Sequence, residues 1–160
     1  MTKHDNVSQG KIMKATEFVK KFGIERTKDA VNNAPCGDLQ VYCQGDITIY
    51  FYFVCSSLHG ESAVYSTKNK EWIGFHDWFC RNEKLAQKAN QEMIPVEELK
   101  RLVESHELLG LFKSLDQAKA DVAACEYAGH ADLLVKLDCG IGYINTARVK
   151  QAIADVEACQ

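Results

Sequence analysis

The sequence has no apolar run near the roughly 20 residues that cross a bilayer. Its longest, Ile47 to Cys55, contains Thr48 and two tyrosines. The opening stretch, Met1 to Lys14, lacks the apolar core of a signal peptide. Neither a membrane span nor secretion is expected, which leaves a cytoplasmic protein. A surplus of one charge sign is missing too: 19 Lys and Arg stand against 22 Asp and Glu, a net charge of -3. A duplex-DNA binder needs surplus cations to displace counterions, and a DNA mimic needs a dense acidic face, so neither class fits. No phosphate loop, dinucleotide fingerprint, H-E-x-x-H or G-x-S-x-G occurs, and no cofactor is expected.

What is present suits a globular chain. Of the 160 residues, 46% are hydrophobic and 26% charged, with both signs interspersed. That is too apolar for a disordered protein and enough for one domain or two small ones. The seven cysteines are Cys36, Cys43, Cys55, Cys80, Cys125, Cys139 and Cys159, and no two form C-x-x-C. An odd, scattered set reads as reduced thiols used as small core residues.

Patterning gives an α+β fold class: N-terminal helices, an antiparallel β-meander of about four strands and a C-terminal helical part. Residues 1–12 have no periodicity and read as a flexible tail. Residues 13–93 read as an α+β module and 94–160 as a helical module, the two forming either separate domains or one compact domain. Phe18, Val19 and Phe22 share one helical face, and Gly23 stands where a glycine ends a helix. A second short helix runs from about Glu25 to Asn33, stopped by Ala34-Pro35. Two helices around a glycine invite a helix-turn-helix reading, but the second has few apolar positions, so a plain packing unit is favoured.

Leu39, Val41 and Cys43 alternate with polar residues, as do Ile47, Ile49, Phe51 and Phe53 with Thr48, Tyr50 and Tyr52. Period two with β-branched and aromatic residues predicts a hairpin. A two-residue loop, Gly45-Asp46, sets Val41 beside Tyr50; a three-residue loop from Gln44 sets Val41 beside Ile49. The second register is favoured because it gathers the aliphatic side chains on one face. It puts Tyr42, Tyr50 and Tyr52 together on the other. Strands near 62–66 and 71–75 complete the meander, and Trp78 to Gln91 stays ambiguous. Pro95 suits the first position of a helix striped by Val96, Leu99, Leu102, Val103 and His106. Ser114-Leu115-Asp116-Gln117 is a capping box for another helix. Residues 129–142 look irregular around an extended piece at 133–137. A last helix from Thr146 is striped by Val149, Ala152, Ile153, Val156 and Cys159.

Three places could hold function. Cys55-x-x-x-His59 and His76-x-x-x-Cys80 supply a zinc-type donor set. However, an i,i+4 spacing suits helices better than strand ends, and knuckle spacing is missing, so no metal is expected. The same residues could pair a thiolate with a base, yet no nucleophile motif surrounds them. The sheet tyrosines Tyr42, Tyr50 and Tyr52 could meet a partner or stack on unpaired bases, although a sheet apolar on both faces usually lies between layers. Finally, Trp72, Phe75, Trp78 and Phe79 concentrate aromatic area. Trp72 and Phe75 read as core, whereas Trp78, beside the polar His76-Asp77 step, reads as an exposed partner-binding anchor.

The run Ile94-Pro95-Val96-Glu97-Glu98-Leu99-Lys100-Arg101-Leu102-Val103-Glu104-Ser105-His106-Glu107-Leu108 resembles small accessory, early-region proteins of lambdoid bacteriophages and enterobacterial prophages. So does the ending Val149-Lys150-Gln151-Ala152-Ile153-Ala154-Asp155-Val156-Glu157-Ala158-Cys159, and the opening Glu17-Phe18-Val19-Lys20-Lys21-Phe22-Gly23 is similar to theirs. The resemblance covers about half of the chain and leaves Leu39 to Phe75 unmatched. It implies a host-directed protein in the cytoplasm of a bacterial host cell. Such a protein binds and modulates a host or competing-phage protein, as a defence-system inhibitor would, and it implies no catalytic residue. The residues alone leave an alternative: a small nucleic-acid-binding protein or a Cys/His-dependent enzyme using the sheet region.

Overall fold

The computed structural model describes residues 13–36, 38–53 and 62–160. In chain order the helices and strands are α1 (Ala15–Phe22), α2 (Ile24–Asn32), β1 (Gln40–Gln44), β2 (Ile47–Tyr52), β3 (Ala63–Ser66) and β4 (Glu71–Gly74). Then follow α3 (Phe75–Arg81), α4 (Glu83–Glu92), β5 (Ile94–Pro95), α5 (Val96–Leu109), α6 (Leu115–Tyr127), β6 (Asp132–Leu137), β7 (Gly140–Asn145) and α7 (Thr146–Ala158). The class is α+β, with N-terminal helices, an antiparallel sheet and a C-terminal helical part. The chain divides into two compact units: one holds residues 33–96, the other residues 15–32 together with 97–160. The N-terminal helices therefore group with the C-terminal helices and not with the sheet that follows them in the chain.

The first unit is built on a five-stranded antiparallel sheet of order β4-β3-β2-β1-β5. The fifth strand is the short Ile94–Pro95 piece, so Pro95 lies on a sheet edge just before α5, not inside the helix. An edge tolerates the missing N–H of proline. The β1–β2 register corrects the one favoured from sequence. Val41 faces Tyr50 and Tyr42 faces Ile49 across the Gly45-Asp46 turn. Gly45, at φ 54, supplies the positive φ that such a tight turn needs. One residue of slip exchanges the faces, so Tyr42 lies with Ile49, Phe51 and Val64, while Tyr50 lies opposite them with Val41 and Tyr65. The aliphatic residues are thus split between faces because both faces are buried. Helices α3 and α4, separated at Asn82, cover the Tyr42 face with Trp78, Ala86 and Ala89.

In the second unit Gly23, at φ 82, joins α1 to α2 and its N–H donates to the Val19 carbonyl at 2.8 Å. This is the helix-ending glycine the sequence predicts. Ser114 Oγ accepts from the Gln117 N–H at 3.1 Å and caps α6. The reciprocal half of the box is not made, because the Gln117 amide donates to Asp121 Oδ1 at 2.6 Å instead. Residues 132–145 correct the irregular reading: they form a second hairpin, β6–β7, turning at Asp138-Cys139. Its inner side chains, Leu133 and Ile144, join Ala118 and Val122 of α6 and Val149 and Ile153 of α7 in one core. A Cβ on Gly142 would stand 2.6 Å from Leu137 Cδ1, so glycine there lets the hairpin close against Leu137. Asn145 caps α7, its Oδ1 accepting from the Ala147 N–H at 3.0 Å.

Candidate functional site

The expected partner-binding residues do not form a surface. Trp78 is 5% exposed and sets its ring edge-on to Phe51 at 5.3 Å, so it is core and not an anchor. Tyr42 and Tyr50 are buried on opposite faces of the sheet. Only Tyr52, at 40%, is open, together with Trp72 at 44%, which the sequence assigns to the core. The two tryptophans differ for separate reasons: helix α3 turns Trp78 down onto the sheet, while β4 is the outermost strand and leaves Trp72 uncovered at its edge.

Of the weak metal and nucleophile constellation, Cys55 and His59 lie outside the described residues. His76 and Cys80 sit one turn apart on α3, with Sγ 3.8 Å from Nε2, and both are exposed. The i,i+4 spacing accounts for that proximity. Among the described residues no group of three or more His, Cys, Asp and Glu side chains is placed to hold a metal ion. Also among them, no helix is long and apolar enough to cross a membrane.

The apolar surface lies instead on the hairpin that the sequence reading leaves irregular. Leu134 faces Tyr143, and Lys136 faces Ile141, across the outer side of β6–β7. These apolar residues are 60% (Leu134), 76% (Tyr143) and 71% (Ile141) exposed. Their inner neighbours Leu133 and Val135 are buried, so period two fixes the outer set by default. Beside β6 a hollow of about 270 Å³ is lined by Leu111 and Phe112 of the α5–α6 turn, by Lys113, and by Leu134 and Lys136. Lys113 and Lys136 have no ion-pair partner among the described residues. Asp121, also in the hollow, is engaged by the Gln117 amide. The surface is therefore an apolar strip with two cations, Lys113 and Lys136, and one carboxylate, Asp121, along one edge, a local charge of plus one. A signal for it was present: Ile141 and Tyr143 alternate with Gly140 and Gly142 just past a two-residue turn. The two glycines obscure it, because glycine is depleted in strands.

A separate polar cluster in the same unit is structural. Asp155 of α7 is buried and accepts from the Arg101 guanidinium, from Ser105 Oγ at 2.8 Å and from Gln151 Nε2 at 3.0 Å. These contacts tie α5 to α7 and satisfy the buried carboxylate. Beside it, burial foremost and the charge of Lys28 second hold the His106 imidazole below its ordinary pKa, while Asp155 opposes the shift.

No protein-family model matches the chain, no curated protein matches it, and no solved structure matches it.

Proposed function

We propose that this chain is a protein-binding accessory protein of phage or prophage origin, which modulates a host or competitor protein in the bacterial cytoplasm and docks it on the outer face of the β6–β7 hairpin. The observation that carries the reading is the contiguous exposure of Leu134, Ile141 and Tyr143. Contiguous apolar area of this kind on a water-facing strand pair favours a covering partner. Tyr and aliphatic residues backed by a packed core also lose little entropy when they are covered. Lys113 and Lys136 favour a partner whose apolar strip is flanked by carboxylates. Duplex nucleic acid fits less well, since the chain carries no surplus of cations, 19 Lys and Arg against 22 Asp and Glu. The phage origin and host-directed role rest on the resemblance of residues 94–108 and 149–159.

Tagged protein, Tyr143→Ala and Leu134→Asp would each be used to capture partners from an enterobacterial lysate. The reading expects one protein retained in stoichiometric amount by the unaltered chain and lost from both variants, with their melting temperatures unchanged. Equal recovery by all three would remove the hairpin from the interface. Recovery of nucleic acid alone would overturn protein binding.

A further inference from the structure

A second site lies in the sheet unit and does not depend on the hairpin. On the Tyr42 face of the sheet, at the end away from β5, a hollow of about 340 Å³ opens between the strands and the α3–α4 junction. That volume lies in the range of small-ligand pockets. Its floor is apolar: Ile49 and Val64 from the sheet, Trp78 and Leu85 from the helices. Two cations stand at its mouth, Lys68 in the β3–β4 turn and Arg81 at the end of α3.

Both cations are presented by fixed backbone. The Lys70 N–H donates to the Ser66 carbonyl at 2.8 Å, and Thr67 donates through its N–H and its hydroxyl to the Thr48 carbonyl at 3.2 and 3.1 Å. The turn carrying Lys68 is thereby held to β2. At the other lip, Asn82 Nδ2 donates to the Trp78 carbonyl at 3.0 Å, closing α3 just after Arg81. Neither cation has an ion-pair partner among the described residues. One carboxylate, Glu71, shares the mouth, so the local charge of these three groups sums to plus one.

We infer that this hollow binds a small organic monocarboxylate with an apolar, ring-sized body. The body would lie on the Trp78 and Ile49 floor, and the carboxylate would meet Lys68 and Arg81. Glu71 disfavours dianions, because a second negative charge has no further cation to neutralise it. Burying the body removes apolar area from water, and the charge pair at the lip selects acid over neutral analogue.

The full chain carrying Trp72→Phe keeps Trp78 as its sole tryptophan, since the sequence has two. Its emission would be titrated with cyclohexaneacetate and with the neutral 2-cyclohexylethanol, neither of which absorbs or emits in the tryptophan range. A saturable change with the acid is expected, with the alcohol about tenfold weaker. The Lys68→Gln/Arg81→Gln double variant, whose two positions are exposed, should keep its melting temperature and lose about tenfold in affinity for the acid alone. Failure to saturate, equal affinity for the two probes, or undiminished binding by the double variant would each overturn the site. So would binding detected by calorimetry that leaves Trp78 emission unmoved.

Discussion

The two β elements use the same residue types in opposite ways. In the five-stranded sheet Tyr50 is fully buried, whereas in the β6–β7 hairpin Tyr143 is 76% exposed. Both stand on strands that alternate, and both face an apolar residue across the ladder, Val41 and Leu134 respectively. Alternation fixes which side chains share a face; the number of layers packed on the sheet decides whether that face is wet. The sharpest way to break the comparison is to cut one aromatic from each setting. Trp78→Ala removes a buried ring that contacts Phe51 and Phe75, and should cost about 3–5 kcal/mol by denaturant unfolding. Tyr143→Ala should change stability by no more than about 0.5 kcal/mol. The order reverses for partner binding, where loss of Tyr143 should cost about 2 kcal/mol, or roughly thirtyfold in Kd. A Trp78→Ala protein as stable as the unaltered chain would mean that α3 does not hold the sheet.

A buried charge sharpens the contrast within the second unit. Asp155 sits on the buried side of α7 among Val149, Ala152 and Ile153, where an apolar residue would be the default. It is stable there because three donors converge on it, and because Arg101 keeps about half of its side-chain surface in water. Asp155→Ala would leave the Ser105 hydroxyl buried without an acceptor and release Arg101 to solvent. The expected loss is about 2 kcal/mol, less than a fully desolvated pair would give. Restoring shape without charge by Asp155→Asn should recover part of it. A loss below about 0.5 kcal/mol in chemical denaturation would reduce the cluster to a surface ion pair.

Local signals in the sequence were legible wherever a single residue carries its own geometry. Gly23, Ser114, the stripe of α7 and the four strands β1 to β4 all lie where spacing and capping rules put them. Tertiary choices were not legible. The β1–β2 register depended on whether both faces would be covered, and Trp78 on which way a seven-residue helix turns. The exposed hairpin was hidden by two glycines whose reasons, a φ of 138 at Gly140 and the approach of Leu137 to Gly142, are visible only in three dimensions. Tyr42 tests the corrected register. Its hydroxyl is buried with no hydrogen-bond partner among the described residues, and burial foremost, then Glu92 and Cys43, push its pKa up. Tyr42→Phe removes an unsatisfied polar atom and should stabilise the protein by about 1 kcal/mol. A loss of stability would show that the hydroxyl has a partner.

The smallest expected effect is a pH dependence in the second unit. His106 closes the buried stripe of α5, and its Nε2 is buried with no hydrogen-bond partner among the described residues. Burial disfavours the imidazolium most, Lys28 disfavours it further, and Asp155 alone opposes them, so the folded pKa lies below the ordinary histidine value. The unfolded chain therefore takes up a proton more readily than the folded one. The neutral ring's contribution to stability is complete above the unfolded pKa of about 6.5. It declines as the pH falls below that value, until the folded pKa is passed. Comparing pH 7.5 with pH 5.5 removes the part of this contribution that falls in that window, using urea midpoints of the unaltered chain and of His106→Gln. The unaltered chain should lose more between the two conditions, because every other titrating group is common to both proteins. A larger acid loss in His106→Gln would reverse the sign. That outcome would mean that Asp155 outweighs burial and Lys28, and that His106 is charged and paired in the folded state.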